Sequence, residues 1–120
     1  MAVWHCWVRR SRTERHRTLD KAICLIAYDV SSAAVERRVV KLLTNYGMRY
    51  QYSVFACHIT KEQRNELTKG LQRLYNEAMR DKKMPEDLFR VSVIVLCANC
   101  VQERMEIGEG FAWPTGSLIV

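Results

Sequence analysis

One carboxylate and a set of cations downstream of it are the residues of this chain best suited to chemistry. Asp29 closes an apolar run over residues 22–28. Arg37, Arg38 and Lys41 follow within an amphipathic stretch, and Arg49 opens the next apolar and aromatic run. A carboxylate is a hard oxygen donor of the kind that holds Mg2+ or another divalent cation. Two such groups brought together by a dimer would repel, and a cation relieves that repulsion. It could then activate a water and polarise a phosphoryl oxygen. The basic residues suit phosphate contacts, which position a duplex without reading its sequence. A plainer account makes Asp29 a helix cap acting on the amide of Ser31 or Ser32 and the cations a solvated face. Both accounts of Asp29 can hold together. One aspartate per chain, with no second acid close in sequence, is a sparse set for metal-assisted hydrolysis.

Other chemistry-bearing residues are weaker. Cys97 and Cys100 form one CxxC pair, two ligands where a closed zinc site needs four, and buried thiols at a strand end are the plainer reading. His58 has no evident acid-base partner and reads as structural. Tyr28 reads as core. The spacing of His5, Cys6 and His16 matches no closed metal site.

The elements that must position these residues are legible in the hydrophobic pattern. Residues 22–30 are apolar on both faces, as for a central strand. Ser31 and Ser32 offer an N-cap, and Val35, Val39, Leu42, Leu43 and Tyr46 recur at helical spacing. Arg37, Arg38 and Lys41 fall on the other side of that helix, and Gly47 stands where a left-handed C-cap is wanted. Residues 48–59 read as a strand with Tyr50, Tyr52, Val54 and Ala56 on one face, one side lying at an interface or a bulge interrupting it. Thr60 and Gln63 make a capping box for a second helix with a buried stripe of Leu67, Leu71, Leu74, Tyr75 and Ala78. Gly70 is a mild blemish in it. After a polar connector, residues 89–100 form the last strong strand, and residues 105–110 could add a short one. The order predicts an α+β, ferredoxin-like β-α-β-β-α-β fold with an extra C-terminal strand, both helices on one sheet face. The open face needs a cover, and a second copy of the chain is the obvious one.

At 120 residues the chain fits one domain with a real core. It has no apolar run of membrane-spanning length and no secretory h-region at its start, so a cytoplasmic protein is the expectation. Its five cysteines lack a disulfide framework and are expected as free thiols. The net charge of +6 is concentrated at the N-terminus, where residues 1–21 hold six basic and two acidic residues. That segment reads as a basic arm, able to lie on phosphates.

Taken in order, YDV, ERRVVKLLTNYG, MRYQYSVF, TKEQ, VSVIVLCANC and IGEG resemble the CRISPR-associated protein two family, the small subunit of the complex that captures and integrates new spacers. The likeness runs over residues 22–110, leaving 1–21 as an N-terminal extension and 111–120 as a tail. It implies a homodimer in which each C-terminal strand extends the partner's sheet. It also implies Mg2+ held where the two copies of Asp29 face each other across the two-fold axis. Some members of the family are metal-dependent endonucleases on single-stranded RNA or double-stranded DNA. Others bridge DNA between two dimers of the CRISPR integrase, CRISPR-associated protein one. Ser53 and Phe55 lie in the densest part of the motif, Phe55 expected in interface packing and Ser53 as a polar neighbour of the metal. The alternatives are a non-catalytic scaffold, a VapD-type ribonuclease toxin, and a small-molecule-sensing ferredoxin-like module. The last wants a glycine between strand and helix, and DVSSA has none.

Overall fold

The structure is a computed structural model that describes residues 21–82, 86–111 and 113–114. The basic arm up to residue 20, with His5, Cys6 and His16, and the last residues, 115–120, lie outside the described residues.

Strand β1 (Lys21–Val30) leads through Ser32 into helix α1 (Ala33–Thr44). Strands β2 (Gly47–Gln51) and β3 (Val54–Thr60) follow, then helix α2 (Lys61–Arg80), strand β4 (Phe89–Leu96) and the short helix α3 (Ala98–Gln102). The sheet order is β2-β3-β1-β4, with every neighbouring pair antiparallel. Two β-α-β units are thus interleaved, which is the ferredoxin-like arrangement.

Alternation along β1 sorts its side chains. Cys24, Ile26 and Tyr28 go under the helices, where they meet Val39 and Leu43 of α1, Leu67 and Leu71 of α2, and Phe55, Cys57, Ile59 and Phe89 of the sheet. Leu25, Ala27 and Asp29 therefore point to the opposite face. The expectation of a strand buried on both faces holds for its place at the centre of the sheet. It fails on cover, because α1 and α2 lie on one face and Leu25 and Ala27 stay half-buried. On the open face α3 packs against β1, where Val101 and Ile23 are both buried.

Several local expectations need correction. Residues 48–59 are two strands joined by a tight turn at Tyr52 and Ser53, with an irregularity between Arg49 and Gln51. The turn carries no glycine or asparagine, so the usual hairpin signal is missing. Gly47 is not a left-handed cap: its φ is not positive, and Asn45 ends α1 in a right-handed conformation. Glycine is required there for closeness, since a Cβ would lie 2.3 Å from the Ala56 carbonyl oxygen and 2.6 Å from Cys57 Sγ. Gly70 likewise sits against Leu42, where a methyl would come within 3.0 Å of Leu42 Cδ2, so it lets α1 and α2 approach. Tyr75 is 40 % exposed and packs edge-on against Phe89, at 5.5 Å between ring centroids.

The capping box at Thr60 and Gln63 is formed as expected, with both reciprocal hydrogen bonds. The last strand stops at Leu96 rather than running on to Cys100. Cys97 caps α3 instead, its Sγ accepting from the Cys100 amide at 3.4 Å. Residues 103–111 form no strand within the single chain, and Met105 and Ile107 are left almost fully exposed. No described helix is long and apolar enough to cross a membrane.

Candidate functional site

Asp29 stands near the end of β1 on the open face, opposite Arg90 in the β1–β4 register. Directly paired antiparallel residues share a face, so the two side chains meet without any detour. Arg90 Nη2 donates to Asp29 Oδ2 at 2.9 Å, and the two side chains are 70 % and 60 % exposed. Sequence reasoning missed Arg90 because no local pattern reveals which strand pairs with which. Capping of α1 does not involve Asp29. The Ser32 hydroxyl accepts from the Val35 amide, and Ser31 exchanges hydrogen bonds with Leu88.

Arg49 works locally. Its guanidinium donates to Tyr28 Oη at 3.2 Å and to the Tyr52 carbonyl, and it lies 5.2 Å from the centre of the Phe55 ring. Tyr28 Oη also donates to the Tyr52 carbonyl at 3.1 Å, and the Tyr28 amide donates to the Ser53 carbonyl at 3.0 Å. Cation–π and hydrogen-bond contacts together fasten the β2–β3 turn to the end of β1, one residue from Asp29. Two expected roles change accordingly. Phe55 is buried in its own chain's core rather than presented at an interface. Ser53 takes part through its backbone carbonyl, and its hydroxyl has no hydrogen bond among the described residues. Tyr28 is core, as expected, and also joins this cluster.

Arg37, Arg38 and Lys41 are exposed along α1, as their spacing predicts. Arg38 pairs with Glu77 of α2 at 2.6 Å. Arg37 and Lys41 have no ion pair among the described residues.

No group of three or more His, Cys, Asp or Glu side chains is gathered for a metal among the described residues. Asp29 is chemically the right donor for Mg2+, but it is one carboxylate and it already has a cation beside it. The single chain therefore does not fit the ion by itself. Cys24, Cys57 and Cys97 are free thiols as expected, whereas Cys100 is disulfide-bonded. Burial pushes the Cys57 thiol up to about 12, with Cys24 beside it adding to the shift. A thiol so placed is unreactive. His58 is held below its usual range by burial first and by Lys21 second, which fits the structural role read from the sequence.

Comparison with known proteins agrees with this architecture. The sequence model of the family described as "CRISPR associated protein Cas2" matches residues 22–104. A protein of Chloroflexus aurantiacus named "CRISPR-associated endoribonuclease Cas2 1" is 33 % identical over 86 residues, covering 72 % of this chain and 84 % of that protein. One from Synechocystis, "CRISPR-associated endoribonuclease Cas2 3", is 43 % identical over 51 residues, 42 % of this chain and 55 % of its own length. A crystal structure of the hypothetical protein TT1823 from Thermus thermophilus superposes with a TM-score of 0.59 at 20 % identity. It covers 78 % of this chain and 98 % of that one, a likeness of fold. The match over residues 22–104 and these relatives place the chain in the CRISPR-associated Cas2 family.

Proposed function

We propose that the chain serves CRISPR adaptation as a homodimer that grips nucleic acid along α1 of each copy, alongside the CRISPR integrase. The observation that carries this reading is the exposure of Arg37 and Lys41, one turn apart on α1 and without an ion pair among the described residues. Two cations at that spacing suit successive phosphate contacts without base reading. The second copy is argued from the open sheet face. There Leu25, Ala27, Val54 and Leu96 are only half-buried, and Met48 and Ile94 are exposed. A cover for that face is the natural fate of so much apolar surface in a small domain. The exposure of Met105 and Ile107 on either side of Glu106 supports this segment as the extra strand on the partner's sheet.

Spacer acquisition in cells tests the reading directly. Arg37→Ala with Lys41→Ala is expected to abolish new spacers while the purified chain still dimerises and still binds the integrase. Normal acquisition by that variant overturns it. Failure of the wild-type chain to capture the integrase would favour the VapD-type alternative.

A second reading, phosphodiester hydrolysis with Mg2+ at paired Asp29, is favoured by the solvent-facing position of Asp29 on the open face. The relatives' names also support it. Two copies would supply two oxygen donors, and the ion would contribute an activated water and charge stabilisation. Asp29→Asn is expected to abolish cleavage of single-stranded RNA or duplex DNA in Mg2+. Cleavage that survives the substitution unaltered would leave Asp29 without this role.

A further inference from the structure

Asp29 meets its charge partner within its own chain. The β1–β4 register puts Arg90 directly opposite, and the two groups are in hydrogen-bond contact at 2.9 Å. Ala27 and Ser92, the next pair along the same face, are small residues. We propose that Arg90 is the resident cation of the Asp29 site. It neutralises the carboxylate in the place where a metal would otherwise be required, and a divalent ion must displace it to bind. This rests on the reading that two copies of Asp29 approach each other in the dimer.

Two bare carboxylates facing across an axis carry two negative charges and call for a divalent ion. Two carboxylates that each arrive with a guanidinium carry none. The guanidinium is permanently charged, and its planar donors match a carboxylate edge. A pair this exposed is weak in water, so a cation at sufficient concentration can compete for Asp29. Apposition of the apolar faces would exclude water and strengthen whichever partner is in place. Arg90 thus sets how much divalent ion the dimer needs and how tightly it holds one. It is a positioning residue for Asp29, separate from the phosphate-contacting residues on α1.

The test compares the full-length wild-type chain with Arg90→Gln by sedimentation in EDTA and in millimolar Mg2+. Mn2+ binding is followed in parallel by the paramagnetic resonance of the free ion. Wild type is expected to dimerise equally well in both buffers and to bind Mn2+ weakly. Arg90→Gln should dimerise about tenfold less well in EDTA, recover in Mg2+, and bind Mn2+ about tenfold more tightly, as Coulomb repulsion at partly hydrated contact implies. Adding Asp29→Asn to that variant should remove both the Mg2+ requirement and the Mn2+ site. Arg90→Gln that dimerises independently of Mg2+ and binds Mn2+ no better than wild type overturns the assignment while leaving the dimer intact. A wild-type dimer that itself requires Mg2+ also overturns it. A wild-type chain that is monomeric in both buffers refutes the dimer reading, and the assignment with it.

Discussion

The α1 cations fix how steeply duplex binding should depend on salt. Each chain offers Arg37 and Lys41 free of ion pairs among the described residues, so a dimer offers four such cations. If each neutralises one phosphate, counterion release makes log K fall with log salt at a slope of about −3.6, using about −0.9 per phosphate for duplex DNA. Between about 50 and 200 mM salt, that contribution weakens binding about 150-fold. Arg37→Ala with Lys41→Ala removes it, and because alanine favours helix the fold should be undisturbed. Arg38 shares its charge with Glu77 at 2.6 Å, so Arg38→Ala should change the slope less than either neighbour. Glu77→Gln, which frees that guanidinium, should steepen it. Fluorescence anisotropy of a labelled duplex across a salt series reads the wild type, the double variant, the single variants and Glu77→Gln. A double variant with the wild-type slope would show that nucleic acid, if bound, lies elsewhere than on α1.

Four further outcomes follow from the packing. Gly47→Ala forces a methyl to 2.3 Å from the Ala56 carbonyl oxygen. A backbone clash of that kind should cost at least about 1–3 kcal/mol, or roughly 10 °C in a thermal melt of a domain this size. Gly70→Ala, where the nearest atom is the flexible end of Leu42, should stay within about 1 kcal/mol of wild type, because the gain in helix propensity offsets the tight contact. His58 has a folded pKa below its unfolded value, so the unfolded chain takes up its proton first as pH drops. Its contribution to stability is complete above about pH 6.5 and is lost as pH falls through the lower folded value. His58→Gln should flatten the melting temperature between neutral and mildly acidic pH, and an unchanged profile would assign the dependence to other groups. Cys24 and Cys57 should resist alkylation in the native chain and react once guanidinium unfolds it, since both are buried and their thiols are raised. Mass spectrometry of the labelled peptides checks this.

What the sequence determined by itself is whatever depends on nearest neighbours along the chain. The Thr60–Gln63 capping box, an N-cap at Ser31 or Ser32, the Val39 and Leu43 stripe, and the outward cations of α1 all follow from spacings within one or two turns. Helix periodicity and caps are local physics, and the family likeness is an ordered set of such local pieces. The tertiary structure decided what depends on pairing and closeness. The register sets Arg90 against Asp29, the β2–β3 hairpin turns without its usual residues, and Gly47 serves contact rather than a left-handed cap. Arg49 and Phe55, read as a phosphate contact and an interface residue, became a clamp and its core support once β2 lay beside β3. A residue's spacing along the chain fixes which face it takes. Its partner across a sheet is a long-range choice, made by the burial of the whole core, and that choice turned a lone carboxylate into half of an ion pair.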